Sequence, residues 1–233
     1  MTGFVRRYGN DCRVLKDFID NGYFGDTYYA KATYLRRAGS PGGWFGDKAR
    51  SGGGPLIDLG VHMIDLTLWL MGNPTPTAVS ACTYRKFADT HMSDSVHSTF
   101  GEANADGTFD VEDLAMGFIR FDNGACMQIE FSWASNIERE KRFFELRGMK
   151  AGAEWNDCDN RLKIFGEAYG QTVDLLPNID NAAVRIHEAN LRHFVDVVLN
   201  GAEPMFVPQQ GVNMVKILEA MYQSAEAGRE IAL

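Results

Sequence analysis

Residues 52–72 read GGGPLIDLGVHMIDLTLWLMG, and this stretch constrains the fold more than any other. Pro55 suits the first position of a helix, where its missing N–H is no loss, with Gly54 as a cap. The helix is expected to run to Leu70 and to stop at Gly72, with Pro74 just beyond. Two of its stripes are apolar at helical spacing: Leu59, Met63, Leu66 and Leu70, then Val61, Ile64, Leu68 and Met71. A helix apolar on two of three sides is a buried one. The remaining stripe is Asp58, His62, Asp65 and Trp69. Buried charges need partners, so this stripe is expected to face a cleft or a polar site. A carboxylate and an imidazole four residues apart can do acid–base chemistry there. The same spacing suits a structural role equally well. Asp58 stands in the first turn, where an acidic side chain favours the helix dipole, and His62 can be a core histidine with one satisfied hydrogen bond.

The rest of the chain reads as a frame for that helix. Residues 11–21 form a short helix, and 27–37 a strand rich in Tyr and Thr. A Gly-rich loop carrying Trp44 and Phe45 spans 38–54. After the buried helix come a strand at 76–87 and a polar excursion at 88–110. Residues 115–121 and 126–133 form a hairpin around Asp122-Asn123-Gly124, because Asn-Gly is a strong hairpin signal. Short strands follow at 142–147, 152–155, 161–165 and 171–176. An amphipathic helix at 183–199 carries Ile186, Leu191, Phe194, Val195 and Val198. A last helix at 209–227 has Val212, Val215, Leu218, Ala220 and Tyr222 on its expected buried side. Strands joined by short turns and flanked by helices predict an α+β fold, a largely antiparallel open-faced sheet with helices packed on one face.

Composition sets outer bounds. With 233 residues, 45% hydrophobic and 23% charged, the chain is long enough for a substantial core. A net charge of −8 argues against nucleic acid or an anionic membrane as partner. Cys12, Cys82, Cys126 and Cys158 lack the spacing of metal ligands, and no metal site is expected. No signal peptide is expected, since no basic segment followed by an apolar run opens the sequence, and no run approaches the roughly 20 apolar residues that span a bilayer. These features point to a reduced, cytoplasmic setting.

The signature helix resembles that of the Gfo/Idh/MocA oxidoreductases, NAD(P)-dependent sugar and polyol dehydrogenases. Their pattern is a Gly-Gly-Gly run, then Asp, Gly, His and Asp at the spacing of Asp58, Gly60, His62 and Asp65. GFVRRYGND at 3–11, NGYFGDTYYAKATYLRR at 21–37, VEDLAMGFIRFDNGACMQIEFSWA at 111–134 and the stretch 194–233 are similar to that family's second domain, in the same order. Full members begin with a Rossmann domain bearing a G-x-G-x-x-G loop, and carry a Glu-Lys-Pro motif whose lysine contributes to catalysis. Neither motif occurs in this sequence. The resemblance therefore implies that residues 1–10 are a remnant of the domain junction, with 3–8 as the last Rossmann strand, and that 11–233 are a substrate-binding and oligomerisation domain.

It also implies a function. The chain would be the C-terminal half of an enzyme that moves hydride between a sugar, sugar acid or polyol and NAD or NADP. Alone it would be inactive and would hold no cofactor. His62 would serve as base, Asp58 would orient it or bind a hydroxyl, and Gly60 would leave room for close approach. Trp44 on its loop would stack on a sugar ring, or anchor the loop in the core. Arg37 would reach the substrate cleft or a partner subunit, and Arg7 would contact cofactor phosphate or substrate, or stand as a solvated charge at the junction. In that family the open sheet face forms a dimer interface, so a homodimer or homotetramer is implied. Two rivals stand beside this reading: a metal-dependent hydrolase or isomerase ligated by Asp58, His62 and Asp65, and a non-catalytic carbohydrate-binding or scaffolding protein. His91, His97, His187 and His193 read as solvated or structural, and Asp113 as a turn residue.

Overall fold

Burial alternates with period two along the strands of the structure, a computed structural model that describes residues 2–88, 108–159, 161–180 and 185–233. In β3 (Leu114–Phe121) Ala115, Gly117, Ile119 and Phe121 point inward, while Met116 and Arg120 point out. Met127, Ile129 and Phe131 do the same in β4 (Cys126–Ser132), as do Phe144 and Leu146 in β5 (Lys141–Gly148). With β1 (Thr27–Leu35), β2 (Pro76–Tyr84), β6 (Gly152–Asn156), β7 (Arg161–Ala168), β8 (Gln171–Leu175) and β9 (Ile231–Ala232) they form one nine-stranded sheet. Its order is β8-β7-β6-β5-β1-β4-β3-β2-β9. Every neighbouring pair is antiparallel except β1 and β4, which run parallel. The expected α+β architecture is therefore the observed one.

Five helices complete the described chain: α1 (Asn10–Asp20), α2 (Lys48–Ser51), α3 (Val61–Leu70), α4 (Ile186–Asn200) and α5 (Pro208–Ala227). The core lies between the inner sheet face and α1, α3 and α5, where Leu15, Met63, Ile64, Leu66, Ile217 and Met221 meet the strands. The opposite face carries Tyr29, Met116, Phe118, Phe143 and Phe165, mixed with charged side chains. Cations cover several of these rings: Arg147 over Tyr29, Arg120 over Phe118 and Lys31 over Phe143.

Several local expectations are corrected. The signature helix is not one continuous α-helix. Leu56–Gly60 is a π-helical turn that passes into α3 at Val61. A π-turn shifts the helical register, so residues four apart across it need not share a face. Residues 3–8 do not form a strand; Val5–Tyr8 is a 3₁₀ turn beside α4. Nothing in α4 is buried, and Leu191, Phe194, Val195 and Val198 are exposed. In α5 the buried residues are Met214, Ile217, Ala220, Met221 and Ser224, while Val212 and Val215 face out. An apolar stripe was legible in both helices, but which neighbour covers it was not. The polar excursion at 88–110 falls largely outside the described residues.

The glycines of the signature are packing residues. A Cβ on Gly54 would lie 2.0 Å from the Glu112 carbonyl oxygen, and one on Gly53 2.0 Å from the Tyr222 hydroxyl. Gly60 is buried too, and its Cβ would meet Phe131 Cδ2 at 2.8 Å. That corrects the expectation that Gly60 makes room for a ligand; it lets the helix sit directly on β4. Gly60→Ala is expected to destabilise the fold by about 1–3 kcal/mol through overpacking, measured by urea denaturation. An unchanged midpoint would return Gly60 to the ligand cleft.

Candidate active site

Glu112, on the approach to β3, fixes the start of the signature segment. Its carboxylate accepts from the Gly54 and Leu56 N–H groups at 3.0 and 3.2 Å, and from the Tyr222 hydroxyl at 2.9 Å. It therefore satisfies backbone donors that a helix start leaves free. Burial pushes the Glu112 carboxyl above its ordinary pKa, and those hydrogen bonds pull the other way. The Tyr222 phenol is driven well up, by burial first and by the Glu112 charge second. Their contact was not legible in the sequence, which placed Tyr222 only on the buried side of the last helix, because no pattern links positions so far apart. The neighbouring Asp113 takes the expected turn role: its Oδ2 accepts from the Lys86 and Phe87 N–H groups at 2.5 and 2.6 Å.

Asp58 sits in the π-turn. Its Oδ2 accepts from Trp133 Nε1 at 2.8 Å, and Trp133 is fully buried at the end of β4. Phe109 packs edge-on against Trp133, with ring centroids 6.2 Å apart. Phe109 in turn lies against Gly46, the last residue of the 3₁₀ turn that carries Trp44 and Phe45. Trp44 stacks on Phe45 at 4.3 Å and is 39% exposed. The loop is thus anchored through Phe45 and Gly46, while part of the Trp44 face stays open to solvent.

His62 follows in the first turn of α3 with its side chain exposed, though protein crowds around it. Phe4 approaches edge-on, with centroids 6.4 Å apart. Desolvation by these neighbours lowers the His62 pKa below 6.5. The Asp58 charge opposes that shift, while Arg6 and His187 reinforce it. His187, read from sequence as solvated or structural, is thus within electrostatic reach of His62. His193 is structural, held by the Tyr8 hydroxyl at 2.8 Å and the Glu203 carbonyl at 2.9 Å. His91 and His97 lie outside the described residues.

Asp65 does not join Asp58 and His62. It is 3% exposed and forms a bidentate pair with Arg7: Nε donates to Oδ2 at 2.9 Å, and Nη2 to Oδ1 at 2.5 Å. Arg7 Nη1 donates to the Met205 carbonyl at 2.7 Å and to Gln210 Oε1 at 3.0 Å. Burial pushes the Asp65 carboxyl up to about 6, against the pull of Arg7. Arg7 is 1% exposed. It is a clamp between the 3₁₀ turn, α3 and the start of α5, which corrects its reading as a cofactor-phosphate contact or a solvated charge. The same pair removes the third ligand from the metal-centred rival. Arg37 is exposed and donates to the Glu138 carbonyl at 3.0 Å; no described contact brings it to Asp58 or His62.

What converges, then, is a buried indole, a carboxylate and an imidazole of lowered pKa, with an aromatic loop beside them. Comparison with known proteins gives this arrangement its context. The GFO/IDH/MocA C-terminal domain family matches residues 12–168. The chain belongs to that family. Among curated GFO/IDH/MocA relatives, D-glucoside 3-dehydrogenase of Escherichia coli is 34% identical over 99% of this chain and 63% of its own length. The scyllo-inositol 2-dehydrogenase (NAD(+)) of Bacillus subtilis is 28% identical over 88% of this chain and 54% of its own. The chain thus spans little more than half to two thirds of these relatives. Among solved structures, levoglucosan dehydrogenase in complex with NADH matches all of this chain and 65% of its own, with a TM-score of 0.82 at 20% identity. That likeness shows the shared fold.

The geometry makes the His62 titration measurable in this chain. By NMR the imidazole is expected to titrate below 6.5, and Asp58→Asn to lower its pKa further, since Asp58 favours the charged form. A rise on Asp58→Asn would show that the two groups are not coupled as described.

Proposed function

We propose that this GFO/IDH/MocA domain is the substrate half of an NAD(P)-dependent dehydrogenase acting on a sugar or polyol. The observation that carries this reading is the Asp58–His62 pair, held from behind by Trp133 and placed beside an aromatic loop. Oxidising a secondary alcohol removes a hydride from carbon and a proton from oxygen. A nicotinamide ring, when bound, takes the hydride. His62 is the group to take the proton, because its lowered pKa keeps it neutral, and so able to act as base, at neutral pH. Asp58 biases the imidazole toward accepting that proton. Trp44 offers an apolar surface to the C–H face of a sugar ring. The names of the relatives, which act on glucosides and inositols, support the same substrate class.

The described residues do not fit a dinucleotide. The sheet is not a doubly wound parallel one, no G-x-G-x-x-G loop is present, and Arg7 is consumed by Asp65. We therefore assign the nucleotide to a part of the enzyme outside these residues, and expect this chain alone to be inactive. The exposed apolar stripe of α4, with Leu191, Phe194, Val195 and Val198, supplies a surface for such a part to cover. The open sheet face, with Met116, Phe118 and Phe165, is our candidate for pairing with a second copy; sedimentation should show a dimer or larger species, and a strict monomer would refute it.

No helix among the described residues is long and apolar enough to cross a membrane. Calorimetry of this chain with NADH should show no micromolar binding; such binding would contradict the assignment of the cofactor elsewhere. A panel of aldoses, sugar acids, cyclic polyols and simple alcohols, assayed on the complete enzyme by NAD(P)H absorbance, tests the activity. A polyhydroxylated substrate should be preferred. Preference for a simple alcohol would sink the reading.

A further inference from the structure

At the C-terminal end of β1 two guanidinium groups gather round one phenol. Tyr34 is 9% exposed. Its hydroxyl accepts from Arg36 Nη2 at 3.2 Å and from Arg142 Nη1 at 3.4 Å. Both guanidinium carbons also lie over its ring, 5.2 and 5.1 Å from the centroid. Two accepted bonds use both lone pairs of the hydroxyl. Its own proton has no acceptor among the described residues.

Arg6 completes the cluster. Its Nη1 lies 3.4 Å from Asp157 Oδ1, and its charge repels Arg142. Asp157 also pairs with Arg142 Nη2. Arg36 spends Nη1 on the Gly39 carbonyl at 2.7 Å. Asp157 touches two of the three arginines, Arg6 and Arg142, and is the one described carboxylate in contact with the cluster, while Glu140 acts on Arg142 through its charge alone. Arg142 Nε is buried with no partner among the described residues. Burial pulls the Arg142 pKa below its ordinary value. The charge in excess is positive: three guanidinium groups stand against the one described carboxylate in contact with the cluster. A cluster serving only to brace the sheet would be expected to balance its charges, because unpaired cations are costly to desolvate.

The cluster adjoins the candidate active site. Tyr34 pairs in register with Phe131, two residues before the Trp133 that holds Asp58. Arg6 follows closely on Phe4, whose ring meets His62, and the Arg6 charge is felt at His62.

We propose that Tyr34, Arg36, Arg142 and Arg6 seat an anionic group, a carboxylate or a phosphate, carried by the ligand whose hydroxyl meets His62. Resting on the sugar dehydrogenase reading, this narrows the substrate to an acidic sugar. Guanidinium groups and a phenol suit the flat, acceptor-only face of such an anion.

Arginine side-chain NMR of this chain tests it, with glucose, glucuronate, glucose 6-phosphate and ADP-ribose as probes. One of the two acidic sugars should produce saturable shifts at the Arg36 and Arg142 Nε–H groups, and bind about tenfold or more tightly than glucose. Which of the two binds more tightly identifies the anion as carboxylate or phosphate. Tyr34→Phe, which removes only the hydroxyl, should erase most of that preference without lowering the melting temperature greatly. Arg36→Gln is the second variant, should the first perturb the fold. Equal affinity for glucose and both acids would overturn the proposal, as would shifts at these arginines with ADP-ribose alone, which would assign the cluster to a cofactor phosphate. Neither result touches sugar oxidation, which is read separately from turnover.

Discussion

The carboxylate of Glu112 is the interaction on which the site depends. It reaches back to the Gly54 and Leu56 N–H groups and takes the Tyr222 hydroxyl as a third donor. One buried charge thereby joins the approach to β3, the start of the signature segment and α5. The polypeptide can come this close only because positions 53 and 54 lack side chains. The glycine run is thus the steric condition for a buried anchor. Leaving the backbone donors and the phenol unpaired would cost on the order of 1–3 kcal/mol for each buried group.

From that anchor the geometry follows in order. The π-turn at Leu56–Gly60 turns Asp58 toward Trp133, and α3 then begins with His62 at the surface. One α-helical turn later Asp65 points into the protein and meets Arg7. The irregular turn sets Asp58 against Trp133, while Asp65, within the regular helix, is held in the interior by Arg7. Such π-turns are frequent at functional sites.

Much of this was legible in the sequence, for identifiable reasons. Apolar stripes at helical spacing marked α3 as buried, and Asn123-Gly124 marked the β3–β4 hairpin. Both are local signals, and both were right. The sheet order and the parallel pairing of β1 with β4 were not legible, because they depend on long-range contacts. The reading of Arg7 failed for the same reason, since its partner Asp65 stands 58 residues away. The buried side of α5 was misread because Val212 and Val215 are as apolar as Met214 and Ile217; only the neighbouring β2 decides between the two faces. Trp133 and Glu112 gave no sequence signal of their roles.

The central claim is that His62, tuned by its surroundings, handles the proton of an alcohol. The pH dependence of kcat/KM in the complete enzyme tests it most directly. Activity should rise through an inflection below 6.5, where the imidazole loses its proton, and stay level above it. His62→Ala should remove that inflection and lower kcat by about 10²–10⁴. A variant without the imidazole that keeps both its turnover and its pH profile would contradict the account.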